Sequence, residues 1–290
     1  MSVHSSSATP FVIFLNEART YTLHVAPSAE ALAELAAKAV AFTAQKAVER
    51  RGVFHWALSG GSTPRALYAL LARTPFVEQI AWEHVHVWWS DERNVPADHA
   101  ESNYRMAHDA LLAHVPIPQT NIHRVRTELG AEHAAAHYEA DLRATFGVNT
   151  PALGNVPGAG VPRFDLILLG MGDDGHTASL FPSTAALQEQ ARWVVANAVP
   201  RLNALRITFT YPLINAADAV LFLVSGAGKA ETLRRVLLGT WQPEVLPAQG
   251  VMPLTGRLMW MVDAAAASLV MSSAGYLASE VIYRRAAPSA

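Results

Sequence analysis

Short apolar runs alternate with longer amphipathic stretches along most of this chain, and that alternation predicts strands taking turns with helices. Residues 54–58, 85–89, 164–169, 219–224 and 258–262 are mainly apolar and stop abruptly at glycine or charged residues. Such runs read as strands of a parallel sheet, buried on both faces. Residues 21–25 and 205–210 alternate as strands do, 193–198 reads as a further strand and 122–125 as a weak one. Between them, Leu32, Leu35, Ala36, Ala39 and Val40 recur at helical spacing in an alanine-rich stretch that ends near Gly52. Helices are also expected over 65–72, from Ser102 to about 114, over 132–146 and over 230–238. The pattern predicts an α/β fold, a mostly parallel sheet flanked by helices on both faces, as a single domain over 21–267. Residues 1–20 are expected to be a flexible N-terminus and 268–290 a helical or partly disordered tail. Residues 147–163, rich in Gly, Pro and Asn, are expected to be an exposed loop.

Polar chemistry gathers where the apolar runs stop, and carboxyl ends of parallel strands are where open α/β sheets bind ligands. The run at 164–169 leads into Gly170-Met171-Gly172-Asp173-Asp174-Gly175-His176, two carboxylates and an imidazole within four residues. The run at 54–58 leads into Ser59-Gly60-Gly61-Ser62-Thr63-Pro64, where Ser62 or Thr63 is expected to cap a helix begun by Pro64. Backbone N–H groups in such a turn suit an anion, although an ordinary strand-to-helix turn has the same form. The run at 85–89 leads into Asp91-Glu92-Arg93, and the run at 219–224 into Ser225-Gly226-Ala227-Gly228-Lys229. A lysine at a helix start opposes the macrodipole unless an anion is shared. Brought to one edge, these turns with Arg93, Arg206 and Lys229 would suit a phosphate. His176 would then be a general base, oriented by Asp91, Asp173 or Asp174. A metal at His176 would need two or more further ligands from elsewhere. His133 and His137, one helical turn apart, lack the intervening Glu of a zinc motif and read as surface histidines.

Composition removes other classes. The 290 residues are 51% hydrophobic and 16% charged, with a net charge of −2, which argues against disorder and against a broad nucleic-acid or membrane footprint. Without a cysteine there is no disulfide framework, thiolate metal site or cysteine nucleophile. Residues 1–10 have no signal-peptide pattern, and no apolar run reaches the ~18 residues of a membrane span. The expectation is a soluble cytoplasmic protein, monomer or small homo-oligomer, acting on a small molecule without nucleic acid, membrane, metal or cofactor.

The ordered set Leu58 to Pro64, Ser90-Asp91-Glu92-Arg93, Glu101-Ser102-Asn103-Tyr104, Gly170 to Pro182, Arg206-Ile207-Thr208 and Gly226 to Ala230 resembles the 6-phosphogluconolactonase family. The resemblance covers roughly residues 20–266. It implies a sugar-phosphate isomerase-like, Rossmann-like fold and hydrolysis of 6-phospho-D-glucono-1,5-lactone in the pentose phosphate pathway. It further implies phosphate binding by Ser59, Gly60, Gly61, Ser62, Thr63, Arg93, Arg206 and Lys229, with His176, Asp174 and Asp91 as the catalytic set. Glucosamine-6-phosphate deaminases are similar in the glycine loop and the Gly-x-Asp-Gly-His core. They typically follow that histidine with Ile-Ala-Phe-Asn-Glu-Pro and carry Asp-Glu-Tyr at the second site. Here Thr177-Ala178-Ser179-Leu180-Phe181-Pro182 and Asp91-Glu92-Arg93 look like the lactonase. A deaminase-like isomerase, or a sugar-phosphate sensor without catalysis, is the alternative.

Overall fold

The apolar runs fold as the buried centre of a sheet. In the computed structural model, which describes residues 10–16, 19–148 and 160–276, ten strands and eight helices follow one another. The strands are β1 (Pro10–Asn16), β2 (Arg19–Ala26), β3 (Phe54–Leu58), β4 (Val85–Trp89), β5 (Asp91–Arg93), β6 (Leu166–Leu169), β7 (Val194–Val199), β8 (Ala204–Phe209), β9 (Ala219–Val224) and β10 (Arg257–Asp263). The helices are α1 (Ala29–Arg51), α2 (Ser62–Leu71), α3 (Phe76–Gln79), α4 (Asn103–Ala110), α5 (Ala131–Phe146), α6 (Tyr211–Asn215), α7 (Ala230–Leu238) and α8 (Ala264–Tyr276).

Seven strands form one sheet in the order β1-β2-β10-β9-β6-β3-β4. All neighbours are parallel except β1, which pairs antiparallel with β2 at the edge. Every residue of β6 and β9 is buried, as a continuous apolar run in a doubly covered sheet requires. Alternate side chains divide between two cores. Leu166, Leu168, Leu221 and Leu223 pack with α1, α2 and α4 on one face. Ile167, Leu169, Val220 and Phe222 pack with α5, α7 and α8 on the other. Ser28 caps α1 by accepting from the Ala31 N–H at 3.3 Å, and Gly52 ends it at φ 74°, a left-handed turn that glycine adopts without penalty.

Four expectations are corrected. Residues 10–16, assigned to a flexible N-terminus, form strand β1. Residues 122–125 form no strand and contribute one bridge, Val87 to Ile122. The strands expected at 193–198 and 205–210 do not join the parallel sheet. As β7 and β8 they pair antiparallel with each other and with β5 in a second, three-stranded sheet. Residues 264–276 are helix α8, so the start of the expected tail is helical as anticipated but belongs to the fold rather than outside the domain: Val270 is fully buried. Residues 1–9, the centre of the loop at 147–163, and 277–290 lie outside the described residues. Among the described residues, no helix is long and apolar enough to cross a membrane.

Candidate active site

β9, β6, β3 and β4 are consecutive in the sheet, so the turns leaving their carboxyl ends meet along one edge. They surround a cleft of about 380 Å³ lined by Ser59, Gly60, Gly61, Asp91, Arg93, His176, Arg206 and Lys229, among others. Ser62 and Thr63 are not part of that lining. Neither caps α2: the cap position is Gly61 at φ 110°, and the helix starts at Ser62 with no side-chain cap. The first amides of α2 have no partner within the helix, as at any helix start.

The loop after β6 closes on itself. The Gly172 N–H donates to the His176 carbonyl at 2.8 Å, the Gly175 N–H to the Gly172 carbonyl at 3.0 Å and Thr177 Oγ1 to the Gly170 carbonyl at 2.9 Å. This turn folds His176 back over Gly172, where an added Cβ would lie 2.0 Å from His176 Nδ1. Gly175, at φ 81°, supplies the left-handed residue the turn needs. His176 Nδ1 donates to Asp174 Oδ1 at 2.5 Å. A carboxylate only accepts, so a hydrogen sits on Nδ1, and in the neutral imidazole the lone pair is then on Nε2. Nε2 has no hydrogen-bond partner among the described residues. Burial pushes the Asp174 pKa up, but the His176 hydrogen bonds and the Arg201 charge overcome this and hold it at about 2. The His176 ring stacks on Phe181 at 4.0 Å between centroids.

The three candidate carboxylates therefore separate. Asp174 holds His176. Asp173 is exposed and pairs with Lys229 Nζ at 2.5 Å, which supplies the anion that a lysine at that turn calls for. Asp91, proposed from sequence as a catalytic partner, makes no bond to His176. Its Oδ2 accepts from Ser179 Oγ at 2.6 Å and its Oδ1 from Asn103 Nδ2 at 3.4 Å. The reason is positional: β5 turns away from the parallel sheet, taking Asp91 with it.

β5 and its neighbour β8 each deliver a cation. Arg93 lies directly opposite Arg206 of β8 in the antiparallel register, and Arg93 Nη1 donates to the Glu101 carbonyl at 2.8 Å. Like charges opposite one another on a ladder destabilise it. Burial, then repulsion from Arg93, holds the Arg206 pKa below its ordinary value. Such a pair is relieved by an anion. Next to it, Glu92 is 2% exposed and accepts from the N–H groups of Arg93, Asn103 and Tyr104. Burial raises its pKa to about 7 against those bonds. Glu92 thus ties β5 to the start of α4, and α4 brings Asn103 against Gly60. An added Cβ on Gly60 would sit 1.9 Å from Asn103 Oδ1.

Arg201, to which the sequence reading gave no role, lines the cleft and places Nη2 2.6 Å from Asp174 Oδ2. Nothing in the order Val199-Pro200-Arg201 signals this, because the contact crosses from the β7–β8 hairpin to the β6 loop. Ser179 and Asn103 lie inside the motifs Gly170 to Pro182 and Glu101 to Tyr104, but their hydrogen bonds to Asp91 are not legible in sequence. His133 and His137 are exposed on α5. Among the described residues, no three His, Asp or Glu side chains gather into a set that could hold a metal ion.

Comparison with known proteins agrees in extent with this geometry. Residues 27–260 match the family described as glucosamine-6-phosphate isomerases/6-phosphogluconolactonase. A 6-phosphogluconolactonase of Nostoc is 41% identical over 246 residues, 84% of this chain and 96% of the relative. A probable chloroplastic 6-phosphogluconolactonase 3 of Oryza sativa is 42% identical over 245 residues, 84% of this chain and 74% of the relative. Among solved structures, the 6-phosphogluconolactonase of Trypanosoma cruzi superposes with a TM-score of 0.74 at 30% identity, over 85% of this chain and 95% of that one. The chain belongs to the glucosamine-6-phosphate isomerase/6-phosphogluconolactonase family.

Proposed function

We propose that the chain is a 6-phosphogluconolactonase, hydrolysing 6-phospho-D-glucono-1,5-lactone to 6-phospho-D-gluconate in the pentose phosphate pathway. Its relatives carry that name at 41–42% identity over most of their length. The observation that carries the mechanism is the His176–Asp174 pair, with Nε2 of His176 unengaged, beside a cleft lined by Arg93, Arg201, Arg206 and Lys229. The phosphate docks against Arg93, Arg206, Lys229 and the amides following Ser59, where positive charge and unpaired N–H groups coincide. This places the lactone carbonyl toward His176. Nε2 takes a proton from water as the water oxygen attacks C1. The tetrahedral oxyanion is stabilised by the positive field of the lining. The C1–O5 bond then breaks, and the proton held on His176 goes to the leaving ring oxygen. Asp174 remains ionised throughout and fixes the tautomer. Asp91 acts through Ser179, fastening the segment after His176. Each step is assigned to the chain's own side chains and amides, without metal or cofactor.

The test follows acid release from the lactone, above the uncatalysed rate, and ammonia release from glucosamine 6-phosphate. Acid from the lactone alone is expected; ammonia release would make the chain a deaminase. His176→Gln should lower kcat by about 10²–10⁴-fold with little change in KM. Near-wild-type turnover in that variant would remove His176 as the base.

A further inference from the structure

We infer that Arg201 is the positioning residue of the catalytic pair: it holds the far oxygen of Asp174 and braces Phe181, so that His176 keeps one orientation. The inference rests on the lactonase reading above and adds to it a residue outside the phosphate site. Asp174 Oδ1 is hydrogen-bonded to His176 Nδ1 at 2.5 Å, and Oδ2, buried and without a hydrogen-bond partner among the described residues, is ion-paired with Arg201 Nη2 at 2.6 Å. A carboxylate held at one oxygen still rotates about its last bond; a cation fixed beside the other oxygen opposes that rotation. Rotation would release Nδ1–H and let the imidazole swing or change tautomer. The second brace is aromatic. The Phe181 ring lies 4.0 Å from that of His176 at an interplanar angle of 22°, and the Arg201 guanidinium lies 5.0 Å from the same Phe181 ring. Arg201 therefore touches both neighbours that fix His176 and does not touch His176 itself.

The backbone explains how an arginine on another sheet arrives there. The β7–β8 hairpin closes at Val199 opposite Ala204, and residues 200–202 form one tight 3-10 turn begun by Pro200. Asn203 ends it at φ 44°, in the left-handed region that asparagine tolerates. The turn fixes the direction of Arg201 locally. The charge of the guanidinium also contributes to keeping Asp174 ionised. Since half of the side chain remains exposed, its replacement should not threaten folding.

The experiment uses Arg201→Gln, Arg201→Lys and Phe181→Leu in the full chain, with kinetics on the lactone, melting temperature and NMR of the His176 Nδ1–H proton, assigned by its loss in His176→Gln. Arg201→Gln should lower kcat by about ten- to a hundredfold, the range a small misplacement of a catalytic group produces, with KM within about twofold. Arg201→Lys should recover most of that loss, and Phe181→Leu should reproduce it in part. The downfield Nδ1–H signal should be sharp in wild type and Arg201→Lys and broadened by exchange in Arg201→Gln. Wild-type kcat and an unchanged proton signal in Arg201→Gln would overturn the inference. So would a raised KM at constant kcat, which would make Arg201 a substrate ligand. Absence of lactonase activity in the wild type would overturn the functional reading instead, and the proton signal would still decide whether Arg201 holds the pair.

Discussion

Lys229 reaches the cleft with a counter-ion already attached. Its 2.5 Å contact with the exposed Asp173 means that an arriving phosphate shares or displaces a carboxylate. Exposed pairs of this kind are weak and screened by salt. Asp173→Asn should therefore lower KM by about two- to fivefold at low ionic strength, with less effect at high salt and little change in kcat. Steady-state kinetics at two salt concentrations check this; Lys229→Ala should move KM the other way. His176 and Asp174 were legible as chemistry because they follow a buried strand within a few residues. Asp91, Asp173 and Asp174 were not distinguishable in sequence, since each follows a strand and all have the same functional group. Arg201 was illegible because its partner, Asp174, lies 27 positions earlier on a different sheet.

At the scale of elements, α4 is held by a buried acid. Ser102 Oγ accepts the Arg105 N–H at 3.1 Å and donates to Glu92 Oε2 at 3.3 Å, so one hydroxyl caps the helix and satisfies a carboxylate. Ser102→Ala should cost about 1–2 kcal/mol, read as a lower midpoint of denaturant unfolding. Gly60→Ala should do more damage to activity than to stability, because its methyl group would drive Asn103 out of the cleft wall; kcat/KM and melting temperature measured together separate the two. The parallel strands were readable because burial on both faces leaves uninterrupted apolar runs. The small sheet was not, because β5 reads Asp-Glu-Arg and only tertiary contacts bury its first two residues. β1 is hard to read for a different reason: the apolar run Phe11 to Leu15 directly follows a polar stretch of ten residues.

The whole molecule carries a histidine row between its layers. His55 of β3 and His86 of β4 face each other in register, His86 Nδ1 and His123 Nε2 lie 3.0 Å apart, and His123 Nδ1 meets Asp141 of α5 at 3.0 Å. The Phe146 ring of α5 lies tilted against that of His55 at 4.2 Å between centroids, and Trp88 stacks on His123 at 3.8 Å. Burial first, then repulsion from His86, His123 and Arg51, lowers the His55 pKa from 6.5 to about 3. The unfolded chain takes up this proton at its ordinary value and the folded chain does not. The stabilisation is thus complete above about pH 6.5 and is lost progressively as pH falls toward 3, at up to ~1.4 kcal/mol per pH unit for one proton. His55→Leu should flatten the decline of stability between pH 6.5 and 4.5, followed by denaturant unfolding at each pH. An unchanged slope would show that other groups govern acid sensitivity.

The antiparallel sheet has one more consequence. The imidazole stands on the parallel sheet, while Arg93 and Arg206 stand on the small one. Ser179 rivets the two together, donating its N–H to Thr208 Oγ1 and its hydroxyl to Asp91, and accepting from Asn197 at its carbonyl. The molecule is in this sense a caliper: one jaw bears the base with Lys229 and the glycine-turn amides, the other bears the two arginines, and the rivet sets the gap. The gap fixes how far the arginine part of the anion grip stands from the imidazole. A phosphorylated lactone one carbon shorter, seated against both arginines, would hold its carbonyl short of His176.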